Sequence, residues 1–144
     1  MQKKTAVLIL NYNNYEDTIN CIDSVEKYNT APIKYIVVDN GSKRENVVDA
    51  LSAYLNNKFG DEFLQIEESS EVKKLPYMTF LVSKVNDGYA CGNNKGLRLA
   101  YADDEIDKVM VLNNDVLFVE DIIPPLLEAI DSDSHIGIVS PLLY

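Results

Sequence analysis

The chain has 144 residues, enough for one ordinary domain and too few for two, and a domain of that length hides about two-thirds of its unfolded surface. Hydrophobic residues make up 47% and charged residues 25%, with 6 Gly and 5 Pro, which excludes a disordered or collagen-like chain. Against 13 Lys and Arg stand 23 Asp and Glu, a formal charge of -10, the wrong sign for a protein that lives by neutralising nucleic acid phosphates.

The first predicted element is a strand over residues 5–10, TAVLIL, a continuous β-prone run of the kind buried on both faces. It is closed by the polar cluster Asn11, Tyr12, Asn13 and Asn14, with no small-residue cleavage site, so the basic start at Lys3 and Lys4 does not make a signal peptide. Ile19, Ile22, Val25 and Tyr28 recur at spacing three and predict a helix from near Glu16. The unit repeats as a strand over 35–38, a turn over 39–42 and a helix with Val47, Val48, Leu51, Tyr54 and Leu55 as its buried stripe. Residues 56–74 read as a polar surface connection with a short strand around 63–66 and no functional weight. A third pass predicts a strand over 78–82, a glycine-rich loop, and a helix whose apolar face carries Leu97, Ala100 and Tyr101. The fourth runs from a strand over 109–112 through Asn113, Asn114 and Asp115 to a helix near 121–130, where Pro124 and Pro125 fall in the first turn. A fifth strand is predicted over 136–140.

This alternation argues for an α/β fold, a doubly wound and mostly parallel sheet covered on both sides. Without a linker or low-complexity tract, residues 1–144 read as one domain. The longest apolar runs, 6–10 and 78–82, fall far short of the roughly 18 residues of a membrane span. Cys21 and Cys91 lie far apart with no CxxC partner and read as reduced thiols, which places the protein in the cytoplasm, with peripheral contact at the inner face of the membrane as the remaining form of association.

In open parallel sheets the ligand crevice lies beyond the carboxyl ends of the strands. That rule selects residues 11–15, 39–43, 86–94 and 113–115, all crowded with Asn, Asp or Gly. Any one such loop could simply cap a helix or close a turn, but four on one edge point to a binding rim. Asp39 ends an apolar strand, and its carboxylate could accept the imide N–H of uracil or thymine, or guanine N1–H; equally, it could cap its own turn onto Gly41 or Ser42. Gly88, Gly92 and Gly96 precede a helix, a density that suits a loop lining a nucleotide, though the spacing is neither GxGxxG nor GxxxxGK[ST]. On the structural reading Asn93 or Asn94 caps that helix and Gly96 is a close-packing site. Asn113, Asn114 and Asp115 offer one carboxylate beside two amides, a poor metal site alone. Mg²⁺ and Mn²⁺ are commonly held by one or two carboxylates together with substrate phosphates, so a metal here should bind with the nucleotide. His135, in a charged turn, and Cys91, with no cationic neighbour in sequence, are set aside.

Taken together, VLILNYNN (7–14), YIVVDNGS (35–42), NDGYACGNNKGL (86–97), VMVLNNDV (109–116) and IGIVSPLLY (136–144) resemble the N-terminal half of a family 2 glycosyltransferase of GT-A fold, Rossmann-like, in its rhamnosyltransferase-like branch. The resemblance implies inverting transfer of a sugar from a nucleoside diphosphate donor, UDP- or dTDP-linked, to a hydroxyl of a saccharide or lipid-linked acceptor in bacterial polysaccharide synthesis, with Mg²⁺ or Mn²⁺ on the diphosphate. It implies that Asn11, Tyr12 and Asn13 lie along base and ribose, that Asp39 meets the base, and that Gly88, Gly92 and Asn93 line the nucleotide. Residues 113–115 match the DxD element, with Asp115 as metal ligand and Asn113 and Asn114 as nucleotide contacts. The first position is Asn113 where the pattern has Asp, which leaves Asp115 the one carboxylate ligand. In such enzymes the acceptor half and general base follow the fifth strand, hence beyond Tyr144, so the chain as given is expected to bind donor without turning it over. A non-catalytic nucleotide-binding module is the alternative. A sugar nucleotidyltransferase would need a glycine-rich loop after the first strand, where Asn11 to Asn14 stand instead.

Overall fold

The computed structural model describes residues 2–142. In chain order the elements are β1 (Lys4–Asn11), α1 (Tyr15–Tyr28), β2 (Ile33–Asn40), α2 (Val47–Phe59), a 3₁₀ turn (Gly60–Glu62), β3 (Phe63–Glu67), β4 (Met78–Ser83), α3 (Tyr89–Ala102), β5 (Ile106–Asn113) and α4 (Ile123–Asp131). The strands form one sheet in the order β3-β4-β2-β1-β5, every pairing parallel. All eight residues of β2 are buried, as a central parallel strand requires.

The pleat divides the core in two. Val7, Ile9, Tyr35 and Val37 face α1, α2 and α4, packing on Cys21, Ile22, Val25, Leu51, Leu55 and Ile123. Ala6, Leu8, Ile36 and Val38 face the other way, onto Leu99 and Ala100 of α3. β2 therefore feeds α2 on one face while its neighbour β4 feeds α3 on the other, and their connections part over the β2–β4 seam, where an open α/β sheet makes its crevice.

Three sequence expectations are corrected. Residues 136–140 form no strand: the Ile136 N–H is spent on the Asp133 carbonyl in a turn, and Ile138 is exposed. The fifth strand is instead β3, an edge strand burying only Ile66, which is why its pattern is faint in sequence. Leu143 and Tyr144 of the closing motif lie outside the described residues.

Second, α3 begins at Tyr89, so Gly92 and Gly96 are helical. A Cβ on Gly96 would stand 2.2 Å from Leu8 Cδ1, and one on Gly92 would stand 2.8 Å from Leu10 Cδ1: the glycines let α3 lie close on the sheet, as the structural reading of Gly96 expected. Third, Tyr101 is 94% exposed. The face that α3 buries is rotated onto Gly92, Asn93, Gly96, Leu99 and Ala100, which leaves Leu97 half-buried and Tyr101 outside.

Candidate functional site

Strand register assembles the rim. Asn11 pairs with Asp39 across β1 and β2, Leu10 pairs with Asn113 across β1 and β5, and Asn40 pairs with Ser83 across β2 and β4. With adjacent strands about 4.8 Å apart, these four strand ends lie within about 15 Å at the carboxyl edge of one sheet. Asp39 and Asn40 are the last residues of β2, and Asn113 is the last of β5, so all three stand on rigid strand ends.

Asp39 is 1% exposed and is the hub of the rim. Its Oδ1 accepts from Asn11 Nδ2 at 2.9 Å and from Ser42 Oγ at 2.5 Å, and its Oδ2 accepts from the Ser42 N–H at 3.0 Å. The turn-capping alternative is thus realised at Ser42. Each carboxylate oxygen takes about two hydrogen bonds, so Oδ2 keeps one acceptor position. Beside it, Asn40 gives its Nδ2 to Asn86 Oδ1 and to the Gly88 carbonyl, both at 3.1 Å, while its buried Oδ1 has no partner among the described residues.

A second set of bonds clasps the first two connections together. Asn13, in a left-handed conformation (φ 59°), donates its N–H to Ser42 Oγ at 2.8 Å and accepts the N–H groups of Lys43 and Arg44 on its Oδ1 at 2.7 and 3.0 Å. Arg44 forks onto Glu16 at 2.9 and 2.7 Å, which lowers the Glu16 carboxyl below its ordinary value. Being exposed, that ion pair adds orientation more than stability. Asn13 is therefore committed to the protein's own backbone. Tyr12, 39% exposed, stands out from the rim.

Gly41 closes the β2 connection against the one after β4. Its φ is +70°, and a Cβ there would meet the Val85 carbonyl carbon at 2.5 Å and the Asn86 nitrogen at 2.6 Å, both backbone. Gly41→Ala is expected to destabilise the domain by about 2–3 kcal/mol, left-handed strain and overpacking together. Gly60→Ala, strained alike at φ +53° but with open space around it, should cost about 1 kcal/mol, and urea unfolding of both variants measures the difference.

Of the glycine-segment residues, Gly88 is the exposed N-cap of α3 and its N–H donates to Asn86 Oδ1 at 2.9 Å. Gly92 lies buried under Leu10 and Asn40, where it serves packing. Asn93 is 5% exposed, and neither of its side-chain polar atoms has a partner among the described residues; the cap expected of Asn93 or Asn94 is made by Gly88 instead. Lys95 fastens the segment through Asp87 at 2.7 Å and Glu68 at 2.9 Å, two ion pairs that sequence spacing did not reveal.

At the end of β5 the three residues part company. Asn113 is exposed, its Oδ1 accepting the Tyr89 hydroxyl at 3.0 Å. Asn114 turns to α1, donating to the Asn14 carbonyl at 3.0 Å and to Thr18 Oγ1 at 3.2 Å. Asp115 is exposed and makes no hydrogen bond or ion pair among the described residues. Burial, with the Asp115 charge adding to it, pushes the Cys21 thiol up to about 12, so that cysteine is inert. No three His, Cys, Asp or Glu among the described residues gather as a metal cluster. Nor is any helix of the described residues long and apolar enough to cross a membrane.

Residues 6–143 match the profile described as Glycosyl transferase family 2. Among solved structures the chain is similar to S. aureus TarS 1-349, with a TM-score of 0.60 and 15% identity, covering 90% of this chain and 32% of that one. It is similar as well to S. aureus TarS at a TM-score of 0.55 and 15% identity, covering 90% of this chain and 20% of that one. At that identity the likeness establishes the fold, and the chain spans a third or less of the length of these structures. A search of curated proteins finds no match.

Proposed function

The chain belongs to glycosyl transferase family 2, and on that premise we propose that it is the donor-binding part of an inverting, metal-dependent glycosyltransferase. Its donor is a UDP- or dTDP-linked sugar, and the acceptor is a hydroxyl of a saccharide or lipid-linked saccharide in cytoplasmic steps of bacterial polysaccharide synthesis. The observation that carries the reading is the division of labour along the rim. Among the described residues, Asp39 and Asn40 hold spare acceptor positions at the β2 end, while Asp115 at the β5 end is a carboxylate with no hydrogen bond or ion pair.

A pyrimidine base presents one imide N–H, which Asp39 Oδ2 can accept, and the exposed ring of Tyr12 offers a face for stacking. Asn113, the exposed last residue of β5, would meet a ribose hydroxyl. The single free carboxylate fits a cation that arrives with phosphate oxygens: Asp115 would hold Mg²⁺ or Mn²⁺ jointly with the diphosphate. When bound, that ion offsets charge on the leaving diphosphate. The chain's own residues orient the donor. Asp39 is engaged by Asn11 and Ser42, and Asp87 by Lys95, so neither is assigned as general base.

Calorimetry with UDP-, dTDP-, GDP- and ADP-linked sugars tests the reading. Pyrimidine-linked donors should bind in Mn²⁺ at least tenfold more tightly than ADP-linked ones, about 1.4 kcal/mol for one lost charge-assisted hydrogen bond. Preference for the purine donors would overturn the base assignment, and equal affinity in EDTA would overturn the metal.

A further inference from the structure

We propose that Thr18 is the positioning residue that joins the two ends of the donor site, the base-reading end at Asp39 and the cation-binding end at Asp115, into one hydrogen-bonded unit; this deepens the donor-site reading and rests on it. Thr18 lies on α1 with no solvent exposure. Its hydroxyl donates to Asn11 Oδ1 at 2.6 Å and accepts from Asn114 Nδ2 at 3.2 Å. Asn11 in turn gives its Nδ2 to Asp39 Oδ1. The line Asn114, Thr18, Asn11, Asp39 thus runs from the residue before Asp115 to the carboxyl end of β2, and Thr18, Asn11 and Asp39 are at most 1% exposed.

The chemistry of the groups permits one polarity along this line. Asp39 as a carboxylate only accepts, so Asn11 must present its amide nitrogen to it and its oxygen to Thr18. The Asn114 amide nitrogen only donates, so the single hydroxyl proton of Thr18 is left for Asn11 Oδ1. Thr18 Oγ1 is the one atom that serves both neighbours. Asn114, expected from sequence as a nucleotide contact, is on this geometry the tether that sets where Asp115 stands. The hydroxyl is not needed to start the helix, because Asn14 caps α1 by accepting the Asp17 N–H at 3.2 Å. Both of its closest partners belong to rim connections.

Thr18→Val keeps the branched shape and removes the hydroxyl, and Thr18→Ser keeps the hydroxyl. Amide NMR spectra of the nucleotide-free chain should show Thr18→Val shifting the signals of Asn11, Asp39 and Ser42 together with those of Asn114 and Asp115, with Thr18→Ser near wild type. Shifts confined to the first turns of α1 would overturn the linkage. With UDP and Mn²⁺, Thr18→Val should bind about tenfold more weakly. Its loss should not multiply with that of Asn11→Ala, because both break the same line; independent, multiplying losses would overturn the proposal. If Thr18→Val fails to fold, Asn114→Ala opens the line from its half-buried end and must produce the same shifts at Asp39 and Ser42. A wild-type chain that binds no nucleoside diphosphate under any condition would overturn the donor reading, while the spectra still decide whether Thr18 links the two connections.

Discussion

Lys34→Ala is expected to destabilise the domain by about 3–5 kcal/mol, because it strips the partner from a carboxylate that water cannot reach. Lys34 is the second residue of β2, at the amino end of the sheet opposite the rim, with its side chain 4% exposed. Its ammonium lies 2.8 Å from Asp103 Oδ2 and 2.6 Å from Glu105 Oε2. The Asp103 side chain is fully buried and also accepts the N–H groups of Leu75 at 2.8 Å and Glu105 at 2.9 Å. One carboxylate therefore fixes the end of α3, the start of β5 and the segment leading into β4. Urea unfolding should give a lower midpoint with an unchanged slope, since the surface exposed on unfolding stays the same.

The same cluster gives the acid limb of stability its shape. Burial pushes Asp103 up, but Lys34 and the two N–H donors outweigh it and hold the carboxyl below its ordinary value. Hydrogen bonds from Lys34 and Lys74 hold Glu105 at about 2, against an ordinary 4.5. Groups whose folded pKa is depressed stabilise fully above the unfolded value and lose that contribution as pH falls through the folded one. Stability from these two carboxylates should thus be level above about pH 5 and drain away between about pH 4.5 and 2. Burial pulls the Lys34 ammonium down, yet its two carboxylate partners more than compensate and raise it, so its share is lost only on the alkaline side, above its ordinary 10.5. In Lys34→Ala an unpaired Asp103 prefers its neutral form, so the gap between variant and wild type should narrow as the solution is acidified. A gap independent of pH would show that lost packing, not charge, sets the cost.

The strands were readable wherever burial on both faces writes an unbroken apolar run, as in β1, β2 and β4. β3 was faint because an edge strand with one buried residue carries little pattern, and residues 136–140 misled because alternation alone does not supply a neighbouring strand edge. In α3 the glycines read as a loop, although their missing Cβ atoms are what bring the helix down onto Leu8 and Leu10. At the rim, strand ends rich in Asn and Asp announced the place but not each side chain's duty. Asp39 spends most of its capacity on Asn11 and Ser42, Asn13 serves the backbone of Lys43 and Arg44, and Asn114 faces α1. The Thr18 line and the Lys34 cluster left no local signal, because Asn114 lies 96 residues from Thr18 and Asp103 lies 69 from Lys34 in the chain. Only the register of a folded sheet makes them neighbours.

Asp115→Ala is expected to leave folding untouched and to abolish the cation's effect on nucleotide binding. The first half follows from its surroundings: an exposed side chain without a hydrogen bond or ion pair among the described residues should change stability by no more than about 0.5 kcal/mol on removal. The second follows from the rim's chemistry. Asn113 and Asn114 are neutral amides, Asn114 is bound to α1, and Asp39 sits two strands away, held by Asn11 and Ser42 with its one spare acceptor position at the β2 end. That leaves Asp115 as the anionic oxygen donor that, among the described residues singled out at the β5 end, would share a divalent ion with a diphosphate. In wild type, Mn²⁺ should tighten UDP binding tenfold or more, about 1.4 kcal/mol, whereas in Asp115→Ala the affinities in Mn²⁺ and in EDTA should coincide. Asn113→Ala, by contrast, should weaken binding equally in both media, because an amide that meets the ribose acts whether or not the ion is present. If Asp115→Ala retained the full cation effect, the ion would be held by the diphosphate alone, and the free carboxylate at the end of β5 would have no part in donor binding.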